Sequence, residues 1–127
     1  MQENHLFEYA VIRVVPRVER EEFINVGVIL YCPSLRFLQS VFVLNKERIN
    51  AFSCTLDLEE LEINLEAFKK ICGGEQDGGP IGKLSLVSRF RWLTATRSTI
   101  LQTSSVHLGL CKDPQQTINK LYKQLVC

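Results

Sequence analysis

A chain of 127 residues with 46% hydrophobic side chains and a net charge of +1 suits one domain, residues 1–127, built on a single core. Its composition excludes an intrinsically disordered chain, and no apolar run approaches the roughly 20 residues that a membrane span needs. Residues 1–77 carry 13 acidic and 8 basic side chains, whereas residues 78–127 carry one acid, Asp113, and seven bases, so either the second half meets an anionic partner or the halves attract each other across the fold.

Residues 7–15 are β-branched and aromatic on both alternating faces, which predicts a strand that is central in a sheet or covered on both sides. Arg13 is the exception in that strand, and needs either an ion-pair partner or an anion to hold. Pro16 ends the strand, and the charged connector up to Glu22 is short enough for an antiparallel hairpin. A second strand follows over 23–32. The period-two split places Ile24, Val26, Val28, Leu30 and Cys32 on its core face and Phe23, Asn25, Gly27, Ile29 and Tyr31 on the other. Gly27 in mid-strand calls for a bulge, a packed aromatic or a closely approaching ligand, and Asn25 beside it could bond a ligand or a neighbouring turn; the structural alternative is favoured for both. Pro33-Ser34 turns the chain into a third strand over 36–44, which completes a meander.

Asn45 caps a short predicted helix over 46–52. The clearest helix spans 57–72: Asp57 and Glu60 form a capping-box arrangement, and Leu58, Leu61, Leu65, Phe68 and Cys72 make one apolar stripe. Its glutamates lie near the positive helix end and Lys69 and Lys70 near the negative end, a solvated face and not a metal cluster. The five-glycine stretch 73–82 lacks the residue order of a phosphate loop and reads as a mobile connector. A short helix is predicted over 84–93, a hydroxyl-rich turn over 94–99, a fourth strand over 100–103 and a loop over 104–111. A last helix opens on Asp113-Pro114, with Ile118, Leu121, Tyr122 and Leu125 buried. The fold expected is α+β, an antiparallel sheet of a three-strand meander plus a later fourth strand, with helices 57–72 and 114–126 packed on one face.

The constellation that points to ligand chemistry is Arg89, Arg91, Arg97, Ser98 and Thr99. Guanidinium forks and hydroxyls in a turn are suited to phosphate or carboxylate, and Trp92 lies near enough in sequence to offer a stacking surface. The alternative use of these arginines is pairing with the acidic helix. His107 and Cys111 share an i, i+4 spacing from which a base and a nucleophile could be imagined, with Asp113 the one nearby carboxylate, but a loop histidine is more often structural or exposed. The five cysteines (Cys32, Cys54, Cys72, Cys111 and Cys127) are widely spaced without a CxxC pair. They read as reduced thiols; neither a metal nor a cofactor is implied. Residues 1–5 are polar, without the basic and apolar regions of a secretory leader, so a cytoplasmic protein is expected.

The runs Tyr9-Ala10-Val11-Ile12-Arg13-Val14-Val15-Pro16 and Glu22-Phe23-Ile24-Asn25-Val26-Gly27-Val28-Ile29-Leu30 resemble the N-terminal pattern of the family catalogued as domain of unknown function 3037. So do the run from Phe90 to Gln102, Val106-His107-Leu108-Gly109-Leu110, and Asp113-Pro114. The resemblance implies a small bacterial cytosolic protein, often encoded beside a kinase that resembles the toxin kinases of toxin–antitoxin pairs. It implies no activity, cofactor or catalytic residue. Arg13, Glu22, Asn25, Gly27, Arg97, Ser98 and His107 are common to the patterns, which raises the expectation that some of them meet in one pocket.

Three functions follow as expectations. The first is a non-enzymatic interaction module binding a protein partner, with a neighbouring toxin-like kinase as the candidate. The alternative is a nucleic-acid or phosphate-ligand binder, nuclease-like, drawing its ligand set from Arg13, Asn25, Arg89, Arg91, Arg97, Ser98 and His107. A hydrolase using His107 is the weakest.

Overall fold

Two stretches rich in β-branched and aromatic residues, separated by a charged connector, pair as the hairpin their pattern predicts. The computed structural model describes residues 4–16, 22–53, 56–74, 78–95 and 100–126. In chain order these form β1 (His5–Val14), β2 (Ile24–Cys32), β3 (Phe37–Phe42), α1 (Lys46–Phe52), α2 (Leu58–Gly73), α3 (Gly79–Gly82), α4 (Leu86–Leu93), β4 (Leu101–Thr103), β5 (His107–Cys111) and α5 (Pro114–Leu125). The fold is α+β with an antiparallel sheet, and the strand order is β3-β2-β1-β4, with β5 also on β1.

The outer lane beside β1 is therefore shared. Leu101–Thr103 pair with Val14–Ile12, and His107–Cys111 pair with Tyr9–His5. Residues 104–111, expected as a loop, contain a strand: Leu108 and Leu110 alternate with His107, Gly109 and Cys111. The one-residue change of register between the two halves is absorbed at residues 104–106. There the buried Ser104 holds the break closed. Its N–H donates to the Val11 carbonyl at 2.8 Å, and the Val11 N–H donates to its Oγ at 2.9 Å.

A second irregularity lies between β1 and β2. Ile12 faces Gly27, but Arg13 faces Asn25, so Val26 is the extra residue. This bulge corrects the single apolar face expected for β2. Ile24 and Val26 join Ile29 and Tyr31 in one core, while Val28, Leu30 and Cys32 belong to another. Because both faces of β2 are apolar, both need cover. α1, α2 and α4 supply Ile49, Leu61, Leu65, Phe68, Phe90 and Leu93 on one side. α5 supplies Ile118, Leu121 and Tyr122 on the other. The two long helices thus stand on opposite faces, not together on one.

Helix ends follow the sequence signals. Asp57 accepts hydrogen bonds from the N–H groups of Glu59 and Glu60, Asn45 from Arg48, and Asp113 from Gln115. Gly74, at φ +68°, closes α2 in the left-handed conformation that glycine adopts without strain. Part of the expected glycine connector is helical, the single turn α3. Gly27 is explained by packing: a Cβ there would lie 2.4 Å from the Val41 carbonyl oxygen and 2.6 Å from the Phe42 Cβ. Cys32, Cys72 and Cys111 are buried free thiols. Among the described residues no helix is long and apolar enough to cross a membrane, and no cluster of His, Cys, Asp and Glu could hold a metal.

Candidate functional site

The arginines and their neighbours were the sequence's candidates for a site, and the fold gives each described one a position. Arg89 lies on α4, and its Nη1 donates to the carbonyls of Ile71 and Cys72 at 3.3 and 3.0 Å. It adds a donor to the last turn of α2, where the Ile71 carbonyl also accepts from the Gly74 N–H. Its Nε is buried without a hydrogen-bond partner among the described residues. Arg91, two residues on and about half a turn round the helix, forms a two-pronged ion pair with Glu8 of β1, both contacts at 2.9 Å. At this pair the positive second half of the chain meets a strand carboxylate of the first half.

Arg13 lies on the opposite face of the sheet. Its guanidinium stacks 4.0 Å over the Phe23 ring, and Nε reaches Asn25 Oδ1 at 3.4 Å. Partial burial pulls the Arg13 pKa below its ordinary value through desolvation. Asn25 in turn donates to the Leu125 carbonyl at 3.0 Å, and Arg48 donates to the Val126 carbonyl at 3.1 Å. These two side chains collect the carbonyls at the C-terminal end of α5. Glu22 is exposed just ahead of β2.

His107 opens β5 and is exposed; its ring lies 5.2 Å from that of Tyr9, its cross-strand partner. Cys111 sits at the other end of the same strand, buried. Four strand residues span about 13 Å, so the i, i+4 pair that a helix would bring together is held apart. Arg13 and Asn25 are thus brought together and tied to α5. Arg89 and Arg91 share α4 on the other face, and His107 lies beside Tyr9. Arg97, Ser98 and Thr99 lie outside the described residues.

Two concave regions flank α2. A cleft of about 220 Å³ between α2, the end of α4 and β4 is lined by Asn64, Phe68, Ile71, Leu101, Gln102 and Thr103 among others, without a charged side chain. A more open groove of about 340 Å³ runs along the outer side of α2 past Glu62, Ile63, Glu66 and Lys70.

The feature that sequence reading missed is the outer end of the sheet. Leu6, Leu108 and Leu110 are 53%, 67% and 67% exposed. Leu6 is paired with Leu110, and Leu108 lies opposite Glu8, so all three project from one sheet face. That is the face of the α2 core, beyond the reach of its helices. On the other face Phe7 covers Gly109 so closely that a Cβ there would lie 2.5 Å from the ring. The alternation through residues 106–111 was the available signal. It is short and interrupted by glycine, which is why it resembled a loop.

By fold and surface this is a small two-sided α+β protein with an apolar sheet edge and with Arg13, Arg48, Arg89 and Arg91 engaged within the molecule. A model of the family described as "Protein of unknown function (DUF3037)" matches residues 9–126, nearly the whole chain, and the protein belongs to that family. Searches of curated proteins and of solved structures each gave no match.

Proposed function

We propose that this protein is a non-enzymatic interaction module that docks a protein partner through the β5 end of its sheet. The observation that carries this reading is the strip of Leu6, Leu108 and Leu110, each more than half exposed, beside a strand whose outer side pairs with no other strand among the described residues. Such strips are the usual mark of a protein contact, and an unpaired edge adds backbone hydrogen bonds to it. The kinase that the family resemblance brings in, a toxin-like enzyme, is one candidate partner. A photo-crosslinking residue at position 108, in cells expressing the full chain, should give a discrete adduct that Leu110→Lys removes. A crosslinker at 108 that yields no protein adduct would end this reading.

Phosphate or nucleic-acid binding through Arg89, Arg91, Arg97 and Ser98 stands second. The excess of seven bases over one acid in residues 78–127 favours it. The engagement of Arg89 with α2 and of Arg91 with Glu8 weighs against it. Binding to RNA or DNA that falls steeply with salt, and is lost in an Arg91→Ala/Arg97→Ala variant, is the result this second reading requires.

A further inference from the structure

We infer that the partner at this edge is a second copy of the same chain, joined by antiparallel pairing of β5 with β5 about a two-fold axis at Gly109. The inference rests on the docking reading above and names its occupant.

The first argument is the strand's own sequence. Leu108-Gly109-Leu110 reads the same in both directions. In an antiparallel pair centred on Gly109, Leu108 of one copy faces Leu110 of the other, and the reverse pair repeats the contact. Leu6, already beside Leu110, extends each half, so six leucines form one strip across the axis. Directly opposed apolar pairs are the unit by which sheets are stabilised.

The second argument is charge. A two-fold axis brings every group near its own copy, so a charged edge repels itself. β5 carries no carboxylate, ammonium or guanidinium group over its five residues. Solvent-facing edges are ordinarily guarded by lysine, proline or an inward charge. β5 has none of these, and Lys112 and Pro114 follow only beyond its end. A chemically different, charged partner would find no complementary group on the strand itself. The opposite edge of the sheet differs: β3 packs against α2 on one side and α5 on the other, and its six residues are all partly buried. The register change at residues 104–106 sets β5 apart from β4 in the outer lane.

The third argument is size. The surface of the chain is 7775 Å². A standard stable interface takes about 800 Å² from each partner, roughly a tenth of such a surface. A five-residue strand pair with its flanking leucines falls at or below that, so the expected dimer is concentration-dependent and not obligate.

Sedimentation equilibrium of the full chain from low micromolar to near-millimolar concentration reads this directly. The mass should rise from 14.5 kDa towards twice that value. Leu108→Lys and, separately, Leu110→Lys should weaken association at least ten-fold with unchanged thermal melts, since both side chains are exposed. Hydrogen exchange at residues 108–110 should slow as concentration rises. A chain that stays at 14.5 kDa throughout overturns the inference, as does a dimer that neither substitution weakens. A monomer whose position 108 crosslinks a different protein overturns the second copy but leaves the docking reading standing; a monomer with no adduct removes both.

Discussion

Replacing Ser104 by alanine tests the joint on which the outer lane of the sheet depends. Ser104 is 7% exposed and Val11, whose N–H its hydroxyl accepts, is 5% exposed. Alanine removes the acceptor that this buried N–H uses. An unsatisfied buried donor costs about 1–3 kcal/mol. The second bond lost, from Ser104 Oγ to the Ser105 carbonyl at 2.9 Å, matters less, since exposed Ser105 can turn to water. A loss of about 2 kcal/mol is therefore expected, equivalent to a fall in Tm of roughly 8 °C for a domain of this size. Urea unfolding followed by circular dichroism should show a midpoint lower by about 1 M with an unchanged slope. Hydrogen exchange at Val11 should accelerate, and Ser105→Ala should be close to neutral. A Ser104→Ala midpoint matching wild type would show that the strand break is not held by this hydroxyl.

Three further substitutions separate packing from chemistry. Gly27→Ala should cost about 3 kcal/mol or more, because the Cβ would strike the backbone of β3 at Val41 and Phe42; denaturant unfolding reads it, and a mild loss would mean the β2–β3 spacing is soft. Arg36→Gly should raise stability by about 0.5 kcal/mol, since Arg36 holds φ 52° and the left-handed strain relieved slightly exceeds glycine's entropy cost; a drop in Tm would refute this. Cys72 gives an alkaline test. Burial pushes its thiol up to about 11 from an ordinary 9.0, against smaller opposing effects of Ser40 and Arg89. The unfolded chain loses this proton first, so the folded state holds more protons between those values. Stability from this group is whole below pH 9 and is lost as pH rises towards 11, by up to about 1.4 kcal/mol per pH unit. Cys72→Ala should flatten that limb of the stability profile.

The parts of the fold written in local chemistry were legible in the sequence. Asp57, Asn45 and Asp113 announce their helices through side chains that bond the first free N–H groups, and Gly74 announces the end of α2. The hairpin of β1 and β2 was legible because its apolar runs are long and its connector is short. The two-sided core was not, because the bulge at Val26 is a property of the pairing with β1 and leaves no mark within β2 alone. For the same reason Val28 and Ile24 read as neighbours on one face although they serve different cores. β5 was missed because it gains its strand character from Phe7 and Tyr9 across the ladder, not from its own five residues. Of the candidate site, Arg13 and Asn25 stood out as polar residues in apolar strands, but their contact with each other and with the end of α5 arises from the strand pairing and the place of α5. The tasks of Arg89 and Arg91 depend on where α4 lies against α2 and β1, which no local spacing encodes.

The same tertiary facts explain why the arginines and the leucines exchange importance between sequence and structure. A guanidinium near the end of a helix can bond its terminal carbonyls, as Arg89 does at Ile71 and Cys72; one near a strand carboxylate closes as Arg91 does on Glu8. Residues that look like ligand-binding equipment in a linear reading are thus drawn into holding α2 and α4 against the sheet. Leu108 and Leu110, ordinary in a list of residues, stay 67% exposed, while α5 packs on the other face of the sheet. An apolar strip that the fold exposes while it covers both faces of β2 elsewhere is a surface the chain does not use on itself. On the proposed reading, that strip is where an encounter with another chain gains burial.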